Sequence, residues 1–284
     1  MTNIYENRLI AFIDVLGFSK KLENVDIDKL QELHDKYSEF IDQAQTATFF
    51  ESSGDKMGRT NFEFSQFLFD SIVLVSNPTD DVFNVNNFVS AVSLLLELGF
   101  KHNLPLRGAI SLGNFLYDNE RNIFLSPSFP DLVKCEQQQE WVGCTVLRDA
   151  EEIVLGAALG KVNVHEAPQV RNQLIHSYKV PLKKDSEEKY LVLNFMFFMS
   201  EKEILLGIKD LIEPKKSNTN SYFEYLKSLK IELTPLDPSF LPAVMFTSIN
   251  TRSGTRLKFL DSSGKQCQPG VDNFTITATG KWYE

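Results

Sequence analysis

The chain has 284 residues, 43% of them hydrophobic and 24% charged, which is enough to bury a sizeable core and typical of a globular protein. Its formal net charge of −9 excludes non-specific binding to nucleic acid or to an anionic membrane, because both require a surplus of Lys and Arg. A phosphate-bearing ligand therefore has to be held by metals and a few local cations.

Leu9 to Val15 is an apolar run rich in Ile, Phe and Val that stops at Gly17, which predicts a buried strand followed by a tight turn, with Asp14 near the strand's end. From Val25 to Ala47 apolar residues return at helical spacing (Leu30, Leu33, Tyr37, Phe40, Ile41, Ala44), so a long amphipathic helix crosses the sheet. Ser52 to Arg59 is a turn. Asn61 to Ser76 holds two adjacent strands with a turn near Asp70 and Ser71. Asn87 to Phe100 is helical, with Gly99 as its C-cap, and LPLRGAISLG returns as a strand. The order is strand, helix, hairpin, helix, strand.

Beyond this, Phe129 to Glu140 is expected to be helical, and a charged turn (KKDSEEK) precedes the apolar strand YLVLNFMFF. Ile204 to Leu211 and Tyr222 to Leu229 are expected as helices separated by a polar linker, KKSNTN, and the stretch from Asp261 as a loose hairpin or tail. The fold class expected is α+β: a ferredoxin-like β-α-β-β-α-β core over residues 1–180, with a C-terminal α/β extension over 181–284 packed on it.

Cys135, Cys144 and Cys267 lack paired spacing, so neither a disulfide framework nor a zinc site is supported, and a reducing cytoplasm is the expected location. No run approaches the roughly 18 apolar residues of a membrane span, and the first residues lack the pattern of a signal peptide. His34, His102, His165 and His176 are scattered and take no role; Trp141 before Gly143 reads as packing. No nucleophile motif or GxxxxGK[ST] loop occurs.

Two acidic residues carry the chemistry. In AFIDVLGFS, Gly17 lets the chain turn at a strand end, which leaves the backbone N–H groups of Leu16 to Ser19 available to phosphate and Asp14 facing the same place. Asp14 either holds a metal or caps the turn. In FLFDS, Asp70 stands in so apolar a setting that an unpaired charge is costly if buried; it either sits in an exposed hairpin turn or points at Asp14. Two carboxylates from separate strand ends beside free amides are the parts of a phosphate site with two metal ions about 4 Å apart.

DVLGFS resembles the first metal motif of the class III nucleotidyl cyclases, FDSIVLV resembles the hairpin that supplies their second metal Asp, and LRGAISLG resembles the strand after their second core helix. The three come in the family's order and cover the chain to about Gly143. The compact style, with EWVG following, looks most like the bacterial Pycsar pyrimidine cyclases of anti-phage defence. That resemblance implies a product of cyclic UMP first and cyclic CMP next, and two Mg2+ or Mn2+ ions per site held by Asp14, Val15 and Asp70. It further implies phosphate contacts from Gly17, Phe18 and Ser19, a base pocket lined by Phe62, Phe64 and Gln66 with Phe49 and Phe50 as outside candidates, and a homodimer with sites at the subunit interface. A separate effector responds to the cyclic nucleotide.

One departure stands out: the purine cyclases carry an Asn and an Arg one helical turn apart, and PSFPDLVKCEQQQEW has neither. Lys134, the nearest cation, reads as a surface charge. Arg107 either reaches the triphosphate or makes a structural ion pair. The alternatives in function are a catalytically degenerate cyclase-like module for nucleotide sensing or dimerisation, and a polymerase-like palm domain, which the acidic charge disfavours.

Overall fold

The structure is a computed structural model. It describes residues 2–18, 22–23, 26–46, 60–159, 174–184, 186–197 and 199–229, and short strand segments at 247–251, 254–260, 266–267, 275–276 and 282–283. The elements in chain order are β1 (Thr2–Val15), α1 (Ile27–Thr46), β2 (Phe62–Leu68), β3 (Ser71–Ser76), α2 (Val82–Lys101), β4 (Leu106–Asp118), β5 (Ile123–Leu125), α3 (Phe129–Gln138), β6 (Gly143–Val146), α4 (Arg148–Leu159), β7 (Ile175–Leu182), β8 (Ser186–Leu193), α5 (Glu201–Lys209) and α6 (Lys215–Ser228).

The main sheet runs β2-β3-β1-β4-β6-β8-β7, with β5 paired to β4. Its first four strands are all antiparallel neighbours, and with α1 and α2 between them they form the expected ferredoxin-like core. The fold is α+β. β6 then joins β4 in parallel, and the β7–β8 hairpin adds through β8. The expected boundary at residue 180 falls inside β7, because the hairpin that crosses it belongs to the same sheet as Asp14.

β1 reads as continuously apolar because both of its faces are covered. Leu9, Ala11, Ile13 and Val15 turn to the large core under α1 and α2, whereas Ile10 and Phe12 turn to a smaller core under α3. The strand begins at Thr2, earlier than the apolar run suggests, since its polar start pairs with Phe115 to Asp118 of β4. Helix α2 is long and apolar enough to cross a membrane, but it is buried inside the protein as the central core helix, packed by α1, α4 and α5. Asp81 caps its start by accepting from the Phe83 N–H at 3.0 Å.

Two local expectations are corrected. Gly99 is not the C-cap of α2; the helix runs on to Lys101, the cap is His102, and Asn103 takes the left-handed turn at φ 58°. Gly99 is there for space, because a Cβ would lie 2.6 Å from the Leu104 carbonyl oxygen. KKSNTN is not a linker but the opening of α6, whose Tyr222, Phe223 and Leu226 are buried. Trp141 is fully buried and meets the Tyr222 ring edge-on at 4.7 Å, as its packing role requires.

Candidate active site

At one end of the sheet the strand registers align a polar row. Asp14 on β1 is directly opposite Ser71 of β3 on one side and Arg107 of β4 on the other. By strand alternation all three face the α3 side, in step with Phe12, Val73 and Ala109. Asp70 is the last residue of the β2–β3 turn, and its carbonyl accepts from the Val15 N–H at 2.8 Å, tying the turn to the end of β1. The turn is strained: Phe69 has φ 57°, rare for a bulky residue, and is 65% exposed, with its ring edge-on to Phe18 at 5.6 Å.

Arg107 is held from above by α3. Its Nε donates to Glu136 Oε1 at 2.7 Å and its Nη2 contacts the same oxygen, while its Nη1 donates to the Gln139 carbonyl at 2.6 Å. Nη2 stops 3.9 Å from Asp14 Oδ2. Gln139 is itself fixed: its Nε2 donates to the Gly108 carbonyl and to Thr145, and its Oε1 accepts from the Trp141 indole N–H. Of its two readings, the structure shows the buried ion pair with Glu136.

Electrostatically the site is crowded with negative charge. Burial, then Glu136, push the Asp14 carboxyl up to about 6; Arg107 pulls it down, Asp70 pushes it up again, and Lys215 from α6 pulls down. Glu136 is also raised, by burial, against the pull of Arg107. A divalent cation would relieve this crowding.

The remaining candidates separate. Gly17 has φ 74°, as the tight turn needs. The Leu16 N–H, expected to be free, donates to the Pro105 carbonyl at 2.9 Å, because the β1–β4 ladder extends one residue past Val15. Phe18 is buried among Tyr37, Phe67 and Phe69, so only its backbone can meet a ligand. Val15 likewise offers only main-chain atoms. Ser19, Phe49 and Phe50 lie outside the described residues. A register shift between Phe62 and Phe64 divides the base-pocket trio. Phe62 is buried on the helix side against Phe88, whereas Phe64 turns to the other face beside Phe115 and Tyr117. Gln66 donates to Asn122 at 2.9 Å, and its Oε1 is buried without a partner among the described residues. Phe62 is thus separated from Phe64 and Gln66 by the sheet. Lys134 is exposed, in keeping with a surface charge.

Sequence reasoning missed Glu136, Gln139 and Lys215. The signal for the first two is helical spacing: Leu132, Cys135 and Glu136 on α3 and Gln139 at its C-cap recur at that period, so polar groups interrupt an otherwise apolar stripe.

No family model matches the chain, and no curated protein matches it. Among solved structures it is similar to the adenylyl cyclase CyaB from P. aeruginosa (12% identity, TM-score 0.44, covering 68% of this chain and 96% of that one). It is also similar to the monomeric guanylyl cyclase domain of the RhoGC fusion protein from the aquatic fungus Blastocladiella emersonii (10%, 0.42, 68% and 98%). A third is the catalytic core of a rhodopsin-guanylyl cyclase with converted specificity in complex with ATPalphaS (9%, 0.43, 68% and 98%). At such identities the functional reading rests on this chain's own residues.

Proposed function

We propose that this chain is a nucleotidyl cyclase that converts a nucleoside triphosphate to its 3′,5′-cyclic monophosphate and pyrophosphate. The observation that carries the reading is the juxtaposition of Asp14 and Asp70, joined through the Val15 N–H and the Asp14–Ser71 register, beside a glycine turn.

The donor set fits Mg2+ or Mn2+. Both side chains offer hard carboxylate oxygens, and Asp14 sits where burial, Glu136 and Asp70 outweigh the pull of Arg107 and Lys215. Among the described residues no group of three His, Cys, Asp or Glu converges as a metal site, so the remaining ligands of such an ion are phosphate oxygens and water. When bound, the ions supply acidity to the ribose 3′-hydroxyl and neutralise charge on the phosphates. This chain's own part is positional. Asp14 and Asp70 hold the ions, with Val15 adding main-chain oxygen. Gly17 turns the backbone of Phe18 towards the phosphates, Ser19 is a further phosphate contact implied by the motif resemblance, and Arg107, clamped by Glu136, braces the Asp14 end.

In this reading the base is a pyrimidine, UTP ahead of CTP, read by Gln66 over the Phe64 ring. The protein works as a homodimer whose product signals infection to a separate effector. Support for the base and the signal is the motif resemblance of Asp14 to Ser19, Phe69 to Val75 and Leu106 to Gly113. Purified protein incubated with each of the four ribonucleoside triphosphates and Mn2+, with products resolved by chromatography, tests both levels. A cyclic pyrimidine monophosphate is expected. A cyclic purine product keeps the cyclase and removes the pyrimidine, and binding without any cyclic product favours the sensing module, to which the engagement of Arg107 by Glu136 already lends weight.

A further inference from the structure

The opening of α6 is anchored beside the candidate site. Asn218 Nδ2 donates to the Glu140 carbonyl at 2.7 Å, and Thr219 Oγ1 accepts from the Val142 N–H at 3.1 Å. Lys215 stands three and four positions before these anchors, so helical spacing places it on the same face. The stretch they grip follows directly on Gln139, whose carbonyl holds Arg107. Lys183 reaches the same stretch from the β7–β8 turn, with its N–H on the Gln138 carbonyl at 2.7 Å.

Three elements that each carry a cation, Arg107, Lys183 or Lys215, therefore meet along this stretch, and the charges of Arg107 and Lys183 both act on Lys215. Arg107 is neutralised by Glu136, but no ion pair joins Lys215 to a carboxylate among the described residues. Lys215 is half-buried, and burial, Arg107 and Lys183 all press its ammonium towards losing its proton, while Glu140 and Asp14 only partly offset them. Holding a dehydrated ammonium among like charges is unfavourable unless an anion arrives. On a chain of net charge −9, a local group of Arg107, Lys183 and Lys215 suits a small, highly charged polyphosphate rather than a nucleic acid.

We propose that Lys215, supplied by the C-terminal part of the same chain, binds the polyphosphate of the nucleotide beside Asp14. This deepens the cyclase reading, on which it rests for the placement of the phosphates. It also gives the C-terminal helices a direct part in the site, as the carrier of the charge that receives the leaving pyrophosphate.

Calorimetric titration of the full chain with inorganic tripolyphosphate in the presence of Mn2+ tests it. Lys215→Met is expected to weaken binding at least about ten-fold, the usual scale for one charge-assisted contact, and Lys215→Arg to restore most of it. Without ligand, the Met variant is expected to unfold at no lower temperature than the wild type. Equal binding by the Met variant, no binding by the wild type, or a destabilised Met variant that Arg fails to rescue would each overturn the proposal. Nucleotide turnover is a separate readout: a protein that binds tripolyphosphate through Lys215 yet forms no cyclic product refutes the cyclase and keeps the anion site.

Discussion

Asp14 and Arg107 are cross-strand partners on β1 and β4, yet the guanidinium gives its short contacts to Glu136 and the Gln139 carbonyl and stays 3.9 Å from the Asp14 carboxylate. Glu136 thereby weakens the hold of Arg107 on Asp14, whose oxygens take no short contact from the guanidinium. A carboxylate already closed by a bidentate Arg would be a poor metal ligand.

Glu136→Gln should release that restraint. Arg107 needs only a small movement to pair with Asp14 and would then compete with the metal. The Mn2+ concentration for half-maximal activity should rise by about ten-fold or more, the scale of one charge-assisted contact. The change should also lower stability, but by less than the roughly 3 kcal/mol of a fully stranded charge, because Arg107, with 9% exposure, takes Asp14 as its new partner. Metal titration of the initial rate, alongside urea unfolding, measures both; an unchanged metal requirement would show that Glu136 does not govern Asp14.

Asp14→Asn and Asp70→Asn should each lower cyclase turnover at least about 100-fold, as loss of a principal electrostatic element does. The apoprotein should tolerate the Asp14 change well, because it removes one carboxylate from a place crowded by Glu136 and Asp70. Thermal unfolding with and without Mn2+ separates a site residue from a structural one. The wild type should be stabilised by the ion and the Asp14 variant should not. A variant that still responds to Mn2+ would move the metal elsewhere.

The core was legible because local and long-range signals agree in it. Asp14 and Asp70 announce themselves as charges in runs such as AFIDV and FLFDS, and the glycine after the first run fits the observed φ of 74°. What the sequence hid is whatever depends on a partner distant along the chain. Nothing near Arg107 reveals that Glu136, 29 positions away, claims it. KKSNTN looks like a linker by composition, and only the docking of Asn218 and Thr219 on Glu140 and Val142 explains why it winds into helix. The trio Phe62, Phe64 and Gln66 shows the same limit. Period-two alternation places all three on one face, and a single register shift sends Phe62 to the other.

Gly99→Ala tests the corrected role of that residue. Ala is the better helix former and would stabilise an exposed helix, by about 1 kcal/mol. Here its Cβ would meet the Leu104 carbonyl oxygen at 2.6 Å and the Leu106 side chain at 2.8 Å. Backbone cannot rotate aside, so the turn that aims β4 at the site must shift. The expected result is a net loss of about 1–3 kcal/mol in urea unfolding, the range for overpacking. A stabilised variant would return Gly99 to the role of a mere helix end.

Glu97 sets a pH dependence remote from the metal site. It lies within α2, with Oε1 2.7 Å from Lys101 Nζ and Oε2 buried without a partner among the described residues. Its pKa rises from 4.5 to about 7, with burial outweighing the attraction of Lys101; the pKa of Lys101 also rises, through that same attraction. Because the folded value lies above the unfolded one, the protonated acid favours folding. That contribution is complete below pH 4.5 and is lost as the pH climbs through about 7. Glu97→Gln removes the titration while Lys101 keeps Glu203 at 3.4 Å. The stability of the wild type relative to this variant should therefore fall by on the order of 3 kcal/mol between pH 4.5 and pH 8, at 1.36 kcal/mol per pKa unit. Urea midpoints for both proteins across that window measure the difference directly. Parallel curves would mean that Glu97 keeps an ordinary carboxylate pKa in the folded chain, with Lys101 compensating for its burial.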